Sequence, residues 1–283
     1  MAAGDLITTD FQFELDGVLL GTGTGYLLQE AVGLDLPEIR ISDQVRPRDH
    51  GLIGGTDFLA GRVVELSFIV RGISNTDLEE KLDALASISG VGAAESPLVF
   101  RLPGRAKERI NVRPRRRYFP INVAYGMRTA DVRLQFVATD PRIYENEITS
   151  VPLSLPATSG GLGWPLGWPL GWGSASSGLF TVTNGGTFAT RPTVTFIGPL
   201  TAPSIENVTT GLKWACTFDL QSGDTLVVDF DARTVLLNGT ASRYSFVTAA
   251  SVWWELVAGD NQLRIAASAG SGSGLVEARG ARL

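Results

Sequence analysis

The stretch RVVELSFIVR, residues 62–71, carries the strongest signal of fold in this chain of 283 residues. Apolar side chains stand at every second position, at Val64, Leu66, Phe68 and Val70. A period of two is typical of a β-strand that buries one face. The same alternation recurs on both sides of this stretch, at 11–15, 97–102, 109–113 and 131–137. We therefore expect a mainly β N-terminal half, folded as a sandwich or barrel.

Two features interrupt these strands. A turn at Pro103-Gly104 predicts a long hairpin between the arms 97–102 and 109–113. The segment Thr76–Ile88 predicts the one clear helix, with leucines at 78, 82 and 85 on one face and Gly90 as its end. Thr76 and Glu79 have the spacing of a capping box.

The chain from Leu179 onward predicts a second all-β domain, because turn signals recur there every 8–12 residues or so. The segment 212–220 alternates. The residues at every second position, expected on the inner face, are Leu212, Trp214, Cys216, Phe218 and Leu220. Hairpins are expected at 225–230 with 234–237, and at 252–257 with 262–266. A β-sandwich of the jelly-roll or galectin-like kind fits this pattern.

The segment between the two halves, SGGLGWPLGWPLGWG (159–173), is neither helix nor flexible linker in composition. Its prolines exclude a helix, and its tryptophans are too apolar for a free linker. We expect an N-terminal domain over 1–150, an extended Trp-Pro-rich linker over 151–178 and a C-terminal domain over 179–283. The aromatic residues expected to dock on a surface are Trp164, Trp168 and Trp172, together with Trp253 and Trp254 as an interface anchor or a sugar-stacking platform.

Charge is segregated along the chain, although the formal net charge is only -5. Residues 1–97 hold 16 acidic and 6 basic side chains, whereas residues 101–117 hold 8 basic and one acidic. A charge run is usually a solvated face, but here pairing between subunits competes with that interpretation. The candidate intersubunit contacts are Arg109, Arg113, Arg115, Arg116 and Arg117.

The sequence offers few residues for catalysis. With His50 and Cys216 as the sole His and Cys, two-histidine and cysteine-based metal centres within one chain are excluded. The glycine-rich loop 21–25 lacks the Lys and the following helix of a phosphate loop. A calcium site at Asp229 and Asp231 and a glycosidase that uses carboxylates alone stay open. We expect no catalytic residue, no metal and no cofactor.

The chain also lacks the signals of membrane targeting. No apolar run reaches about 18 residues, the length of a membrane span. The first residues, MAAGDLITTDFQF, contain no apolar region of a secretory signal. We expect synthesis in a cytoplasm and no membrane insertion.

Taken in order, these segments resemble the distal tail proteins of long-tailed, non-contractile bacteriophages. In the first half the resemblance rests on the loop RPRDHG (46–51), the strand from Gly61-Arg62, the helix, the basic hairpin and FVATDPRIYE (136–145). GLGWPLGWPLGWG (161–173) is similar to aromatic-Pro linkers of that family. In the second half it rests on three stretches: 182–211, SGDTLVVDFDARTVLLNG (222–239) and WWELVAGDNQLRI (253–265). The order of the segments, not any single motif, carries the resemblance.

The resemblance implies a structural virion protein at the tail tip, made in the cytoplasm of the bacterial host. A tail-tube-like N-terminal domain would form a homo-hexameric ring between the tail tube protein and the tip or hub proteins, and the C-terminal domain would decorate its outside. DNA would pass through the ring without specific binding. Two alternatives stay open: a carbohydrate-binding or adhesin component, with a host-surface glycan at the C-terminal domain, and a tail-tube subunit. An enzyme is the weakest alternative.

Overall fold

The computed structural model describes residues 2–92, 94–156, 158–159, 174–175 and 178–283, with the backbone alone at 158–159 and 174–175. The protein is mainly β, as the sequence predicts. It divides into two compact units, Met1–Asn146 with Leu283, and Glu147–Arg282. Trp164, Trp168 and Trp172 lie outside the described residues.

The first unit contains twelve of the described strands and both described α-helices. Their bounds are β1 Gln12–Leu15, β2 Val18–Gly21, β3 Tyr26–Val32, β4 Ile39–Arg40, β5 Gln44–Val45, β6 Leu52–Ile53, β7 Phe58–Leu59, β8 Arg62–Arg71, α1 Asn75–Ile88, β9 Ser96–Arg101, β10 Lys107–Tyr118, α2 Val123–Gly126, β11 Thr129–Ala138 and β12 Ile143–Glu145.

Strand β10 is the longest strand of this unit, and it changes partner along its length. Residues 107–112 pair antiparallel with β9, while residues 113–118 pair antiparallel with β11. The main sheet therefore runs in the order β2-β1-β9-β10-β11-β8-β3. The four strands β10, β11, β8 and β3 form one section of it, which we call the four-stranded section.

One face of this sheet packs on α1 around a common core. The predicted inner residues of β8 are buried there, as are Leu78, Leu82 and Leu85 of the helix. The helix starts earlier than expected: its cap is Ser74, whose Oγ accepts the Asp77 N–H at 3.0 Å. The predicted capping box at Thr76 is therefore wrong, because serine two residues upstream supplies the acceptor.

The outer face of β1 departs from the simple alternation of the sequence. Gln12 and Glu14, expected to face solvent, are buried, and Phe11 lies before the strand with φ of 59° and is exposed. The cause is the N-terminal segment, which covers this face: Glu14 accepts the Leu6 N–H at 2.9 Å, and Gln12 accepts the Thr8 N–H at 2.8 Å. Polar side chains here satisfy backbone groups of a covering segment.

The second unit contains the remaining described strands, some of which are very short. Their bounds are β13 Thr149–Ser154, β14 Thr158–Ser159, β15 Ser174–Ala175, β16 Leu179–Asn184, β17 Thr193–Ile197, β18 Leu200–Thr201, β19 Ser204–Asn207, β20 Leu212–Ala215, β21 Asp219–Leu220, β22 Thr225–Asp229, β23 Thr234–Leu237, β24 Ala241–Ser242, β25 Gly259–Ala266, β26 Ala269–Gly270, β27 Ser273–Ala278 and β28 Ala281–Arg282.

Two sheets of this unit share one core, which makes it a β-sandwich. One has the order β13-β27-β17-β22-β23-β24 and the other the order β16-β25-β19-β20. Phe196 of the first sheet stacks on Trp214 of the second with ring centroids 5.8 Å apart. The predicted hairpin of β22 and β23 is present.

Two local predictions for this unit need correction. Residues 252–257, expected as a strand, form only an isolated bridge from Leu256 to Thr190, while β25 pairs with β16 and β19. The alternation over 212–220 holds for Trp214, Cys216 and Leu220, but Leu212 is exposed. The apolar spacing there belongs to two short strands and a loop that packs on the core.

Residues 151–154, which we expected in the linker, lie in strand β13 of the second unit. This strand pairs with β27 from Thr149↔Ala278 to Ser154↔Ser273 and buries Leu153 in the core of the sandwich. The linker signal came from the Trp-Pro repeat, and it does not mark where the preceding strand ends.

We predict that residues 147–283 fold alone and that β13 contributes to their stability. Leu153→Ala should lower the free energy of unfolding by about 2–5 kcal/mol, since it leaves a cavity in the core. Ser154→Ala, at the neighbouring exposed position, should change it by less than about 0.5 kcal/mol. Urea denaturation followed by tryptophan fluorescence measures both. Equal stability of the two variants would contradict this role of β13.

Candidate assembly surface

The four-stranded section has two open edges, one at each side. β9 ends its pairing at Ser96↔Val112, and β11 and β12 pair along the opposite edge of β10. One edge of residues 113–118 is therefore unpaired, and β3 ends the sheet at the other side. Open strand edges present free N–H and C=O groups to which another strand can add.

The candidate arginines lie along β10, but not all on one face. The register with β11 shifts between Pro114 and Arg116, so Arg115 is an extra residue in a β-bulge. After the bulge Arg117 lies opposite the buried Leu134, and its Nη1 donates to the Ala86 carbonyl at 3.1 Å. Arg115 and Arg117 therefore do not keep the phase of Arg109 and Arg113 that a regular strand would give them.

The basic stretch is neutralised only near its beginning. Arg101 pairs with Asp10 at 2.9 Å, and Arg105 pairs with Glu108 at 3.3 Å. Arg109 is half-buried, and desolvation lowers its pKa from the ordinary value. Within the described ranges, no carboxylate forms an ion pair with any of the last four arginines of the stretch, Arg113, Arg115, Arg116 and Arg117.

The opposite edge carries an acidic residue at a matching level. Arg116 shares a row across the sheet with Gln135, Glu65 and Val32. Two residues further along β10, Tyr118 shares a row with Arg133, Ser67 and Glu30. Glu30 is exposed on β3. The two open edges therefore span the same rows, one basic and one with a carboxylate. Many of the other acidic residues of 1–97 lie on the helix, in the N-terminal segment and in the ribbon described next.

A second exposed element is a two-stranded ribbon over residues 39–59, built from the pairs β4 with β7 and β5 with β6. Its apolar side chains are mostly in solvent; Val45 is 75% exposed. Isolated two-stranded ribbons are only marginally stable in water. No strand is predicted here from the sequence, because the paired segments are two residues long and their apolar residues do not alternate. The RPRDHG loop, with His50, forms its exposed tip.

The motif Asp140-Pro141-Arg142-x-Tyr144 has a structural role. The Tyr144 hydroxyl donates to Asp140 Oδ2 at 2.5 Å, and burial followed by the charge of Asp140 raises the pKa of Tyr144. The buried Arg62 donates to the Pro141 carbonyl at 2.9 Å and to the Gly33 carbonyl at 2.9 Å. One guanidinium thus ties the exit of β11 to the chain leaving β3, at the base of the ribbon.

The paired tryptophans of the second unit differ in accessibility. Trp254 is buried in the core against Phe230, so it is excluded as a docking residue of the folded unit. Trp253 is half-buried, and the exposed Tyr244 stacks on it with centroids 6.2 Å apart and an angle of 11° between the rings. One tryptophan of the pair is therefore inward and the other partly accessible, although the segment is not a strand.

The side chains that could react or bind a metal have structural roles in the second unit. Cys216 is buried, and desolvation raises its pKa. Asp229 Oδ1 accepts the N–H groups of Asp231 and Ala232, and Asp231 pairs with Arg191 at 2.6 Å, so these carboxylates serve a turn and an ion pair. Across the described ranges, no three His, Cys, Asp or Glu side chains are grouped as a metal site would require. None of the helices described is long and apolar enough to cross a bilayer.

The fold and its open edges define a class, the mainly β-proteins with free sheet edges to which another strand can add. Residues 185–275 match the family described as siphovirus-type tail component, C-terminal domain. This stretch is therefore similar to the C-terminal domain of a phage tail component, and the resemblance stated from the sequence is confirmed. No curated protein matches the sequence.

Solved structures of phage proteins share the fold over nearly the whole chain. The Dit protein of phage SPP1, described as a paradigm of the hub adsorption apparatus in phages infecting Gram-positive bacteria, has a TM-score of 0.69 at 17% identity and covers 97% of this chain and 100% of its own. A chain of the phage P2 baseplate in its activated conformation with Ca has a TM-score of 0.55 at 9% identity, covering 94% and 97%. A third, from the same baseplate with Sr, has a TM-score of 0.53 at 10% identity and the same coverage.

We predict that Arg115→Glu with Arg116→Glu abolishes self-association while the first unit stays folded. Both side chains are exposed, so their replacement should change the free energy of unfolding by no more than about 0.5 kcal/mol each. Arg233→Glu, at an exposed turn of the second unit, is the matched control. Light scattering gives the mass and thermal melting gives the stability. Normal assembly of the double variant would refute the role of these arginines.

Proposed function

We propose that this protein is a distal tail protein of a siphophage, which forms a six-membered ring between the tail tube and the proteins of the tail tip. The observation that carries the proposal is the pair of open, unlike edges on the four-stranded section, the basic end of β10 and the edge of β3. The family match over 185–275 and the shared fold with the SPP1 Dit protein support it.

The edges favour a closed ring over a dimer. Two different surfaces on one subunit make a heterologous contact, and such contacts give a ring when the rotation closes. β3 runs parallel to β11 and therefore antiparallel to β10, so one sheet can continue into the next by antiparallel pairing. The number six comes from the resemblance to the distal tail proteins.

In this proposal the ring surrounds the channel through which DNA leaves, without reading its sequence. The protein is made in the host cytoplasm and ends in the virion, at the tail tip. Its partners are the tail tube protein on one side and the hub proteins on the other. The proposal assigns no catalysis and no cofactor to the chain.

A second candidate function, saccharide binding by the second unit, is favoured by Tyr244. This ring is 52% exposed and is held parallel to Trp253. Arg243 lies beside it, with its guanidinium over Phe218 at 5.1 Å from the centroid. A rigid aromatic ring beside hydrogen-bond donors is the kind of platform on which a sugar stacks.

We predict that the purified full chain forms six-membered rings, alone or when mixed with its tail tube and hub partners. Negative-stain electron microscopy gives the symmetry, and native mass spectrometry gives the mass in multiples of the 30.2 kDa chain. Long polymerised tubes would instead identify a tail-tube subunit. A protein that stays monomeric with its partners, or a ring of another order, would overturn the proposal.

For the second candidate, binding to a glycan array should fall about tenfold or more on Tyr244→Ala if the ring stacks on a sugar. Tyr118→Ala, an exposed tyrosine of the first unit, is the control and should bind as the unchanged protein does. The absence of binding to any host-surface glycan would remove this candidate and leave the ring untouched.

A further inference from the structure

The connection between β10 and β11, residues 119–127, forms an exposed apolar tip. Ile121, Val123 and Met127 are 84%, 80% and 72% exposed. Asn122 holds the tip in shape, since its Oδ1 accepts the N–H groups of Ala124 and Tyr125 at 3.0 and 3.3 Å. Three large apolar side chains in solvent on an ordered turn point to a surface that is covered in the assembled protein.

A groove of about 480 Å³ lies beside the other open edge, next to the first residues of β3. Its lining is largely apolar or backbone: Phe11, Gly21, Thr22, Gly23, Leu27, Leu28 and Gln29. Gly21, with φ of 97°, lies so close to Phe11 that a Cβ atom would be 2.0 Å from the Phe11 carbonyl oxygen. This contact fixes the wall of the groove, and Phe11 itself stays exposed.

The tip and the groove lie at the same end of the four-stranded section. Tyr118, the last residue of β10, shares a row with Glu30, so the residues after Tyr118 lie level with the residues before Glu30. Those residues are Leu27, Leu28 and Gln29 of the groove. Within one chain the tip and the groove are three strands apart, about 14 Å at the usual spacing of paired strands. A cavity of about 430 Å³, lined among others by Gln29 and Glu30 of β3 and by Pro120 and Asn122 of the tip, lies between them.

We propose that the apolar tip of one subunit docks in the groove of the next, as the lock of the ring contact. The inference rests on the proposed function. Subunits of a ring stand at equal height along its axis, so when β10 of one copy lies beside β3 of the next, the tip reaches the groove. Ile121 enters between Phe11 and Leu27, while the arginines after Val112 face the edge with Glu30.

The occupant is a second copy of this chain because the chain carries both halves of the contact, and they match. The tip is apolar and the groove is apolar, they flank edges that can pair antiparallel, and the charges beside them are opposite. The ribbon over 39–59 is the competing occupant of the groove, and the cross-linking test below distinguishes it from the tip.

The test uses the full chain with single substitutions. Ile121→Asp should raise the subunit concentration at half-assembly about tenfold or more, because a carboxylate would have to be buried in an apolar groove. The matched control is Val208→Asp, at an exposed valine of the second unit, which should assemble as the unchanged protein does. Circular dichroism shows that both variants are folded.

Cross-linking identifies the neighbour. Ile121→Cys and Leu27→Cys proteins, mixed and oxidised, should give disulfide-linked dimers, since a disulfide needs Cα atoms within about 7 Å. Val208→Cys with Leu27→Cys should give none, and the buried Cys216 takes no part. Linkage of Leu27→Cys to Val45→Cys instead of Ile121→Cys would identify the ribbon as occupant and overturn the inference.

The outcomes distinguish failure of the docking from failure of the ring. Rings that assemble normally with Ile121→Asp and form no Ile121–Leu27 cross-link would refute the docking but leave the ring. A protein that stays monomeric at every concentration, with and without its partners, would refute the proposed function and the docking together.

Discussion

The architecture of the first unit depends on one strand pairing with two partners in succession. β10 is hydrogen-bonded to β9 up to Val112 and to β11 from Arg113 onward. Where β9 stops, the edge of β10 that it occupied becomes free. The same strand that joins the two parts of the sheet therefore also creates an open edge. Had β9 been six residues longer, that edge would be closed and the basic residues would lie inside a complete sheet.

The β-bulge beside Pro114 sets what this edge presents. Proline has no N–H to give to a neighbouring strand, and the extra residue at Arg115 changes which side chains face the core. As a result Arg117 bonds to the end of α1, whereas Arg115 and Arg116 stay exposed. Three consecutive arginines that look equivalent in sequence are thus divided between a tie within the subunit and charges available to a partner.

The sequence predicted the elements whose residues alternate over long stretches, such as β8, β11 and α1, because burial of one face imposes a period. The prediction failed where the burial of a short segment depends on contacts with another segment that covers it. Gln12 and Glu14 are buried because the N-terminal segment bonds to them, and nothing in their own neighbours shows this. The basic surface was visible as composition, but its division by a bulge was not. The groove was invisible, since it joins residues of three separate segments.

The domain boundary illustrates the same limit. The Trp-Pro repeat is conspicuous, yet strand β13 precedes it and belongs to the sandwich that follows it. Pairing with β27, more than a hundred residues away, fixes that membership. Composition marks unusual segments, while long-range hydrogen bonds mark where a folded unit begins.

The ribbon over 39–59 has a consequence for the resistance of the chain to proteases. Its tip carries Arg46 and Arg48, both exposed, on an element held at its base by the guanidinium of Arg62 and the bond from the Ala60 N–H to the Glu38 carbonyl. Exposed tips of this kind are where proteases cut first. The ribbon therefore offers trypsin-like enzymes an early cleavage point in the free chain.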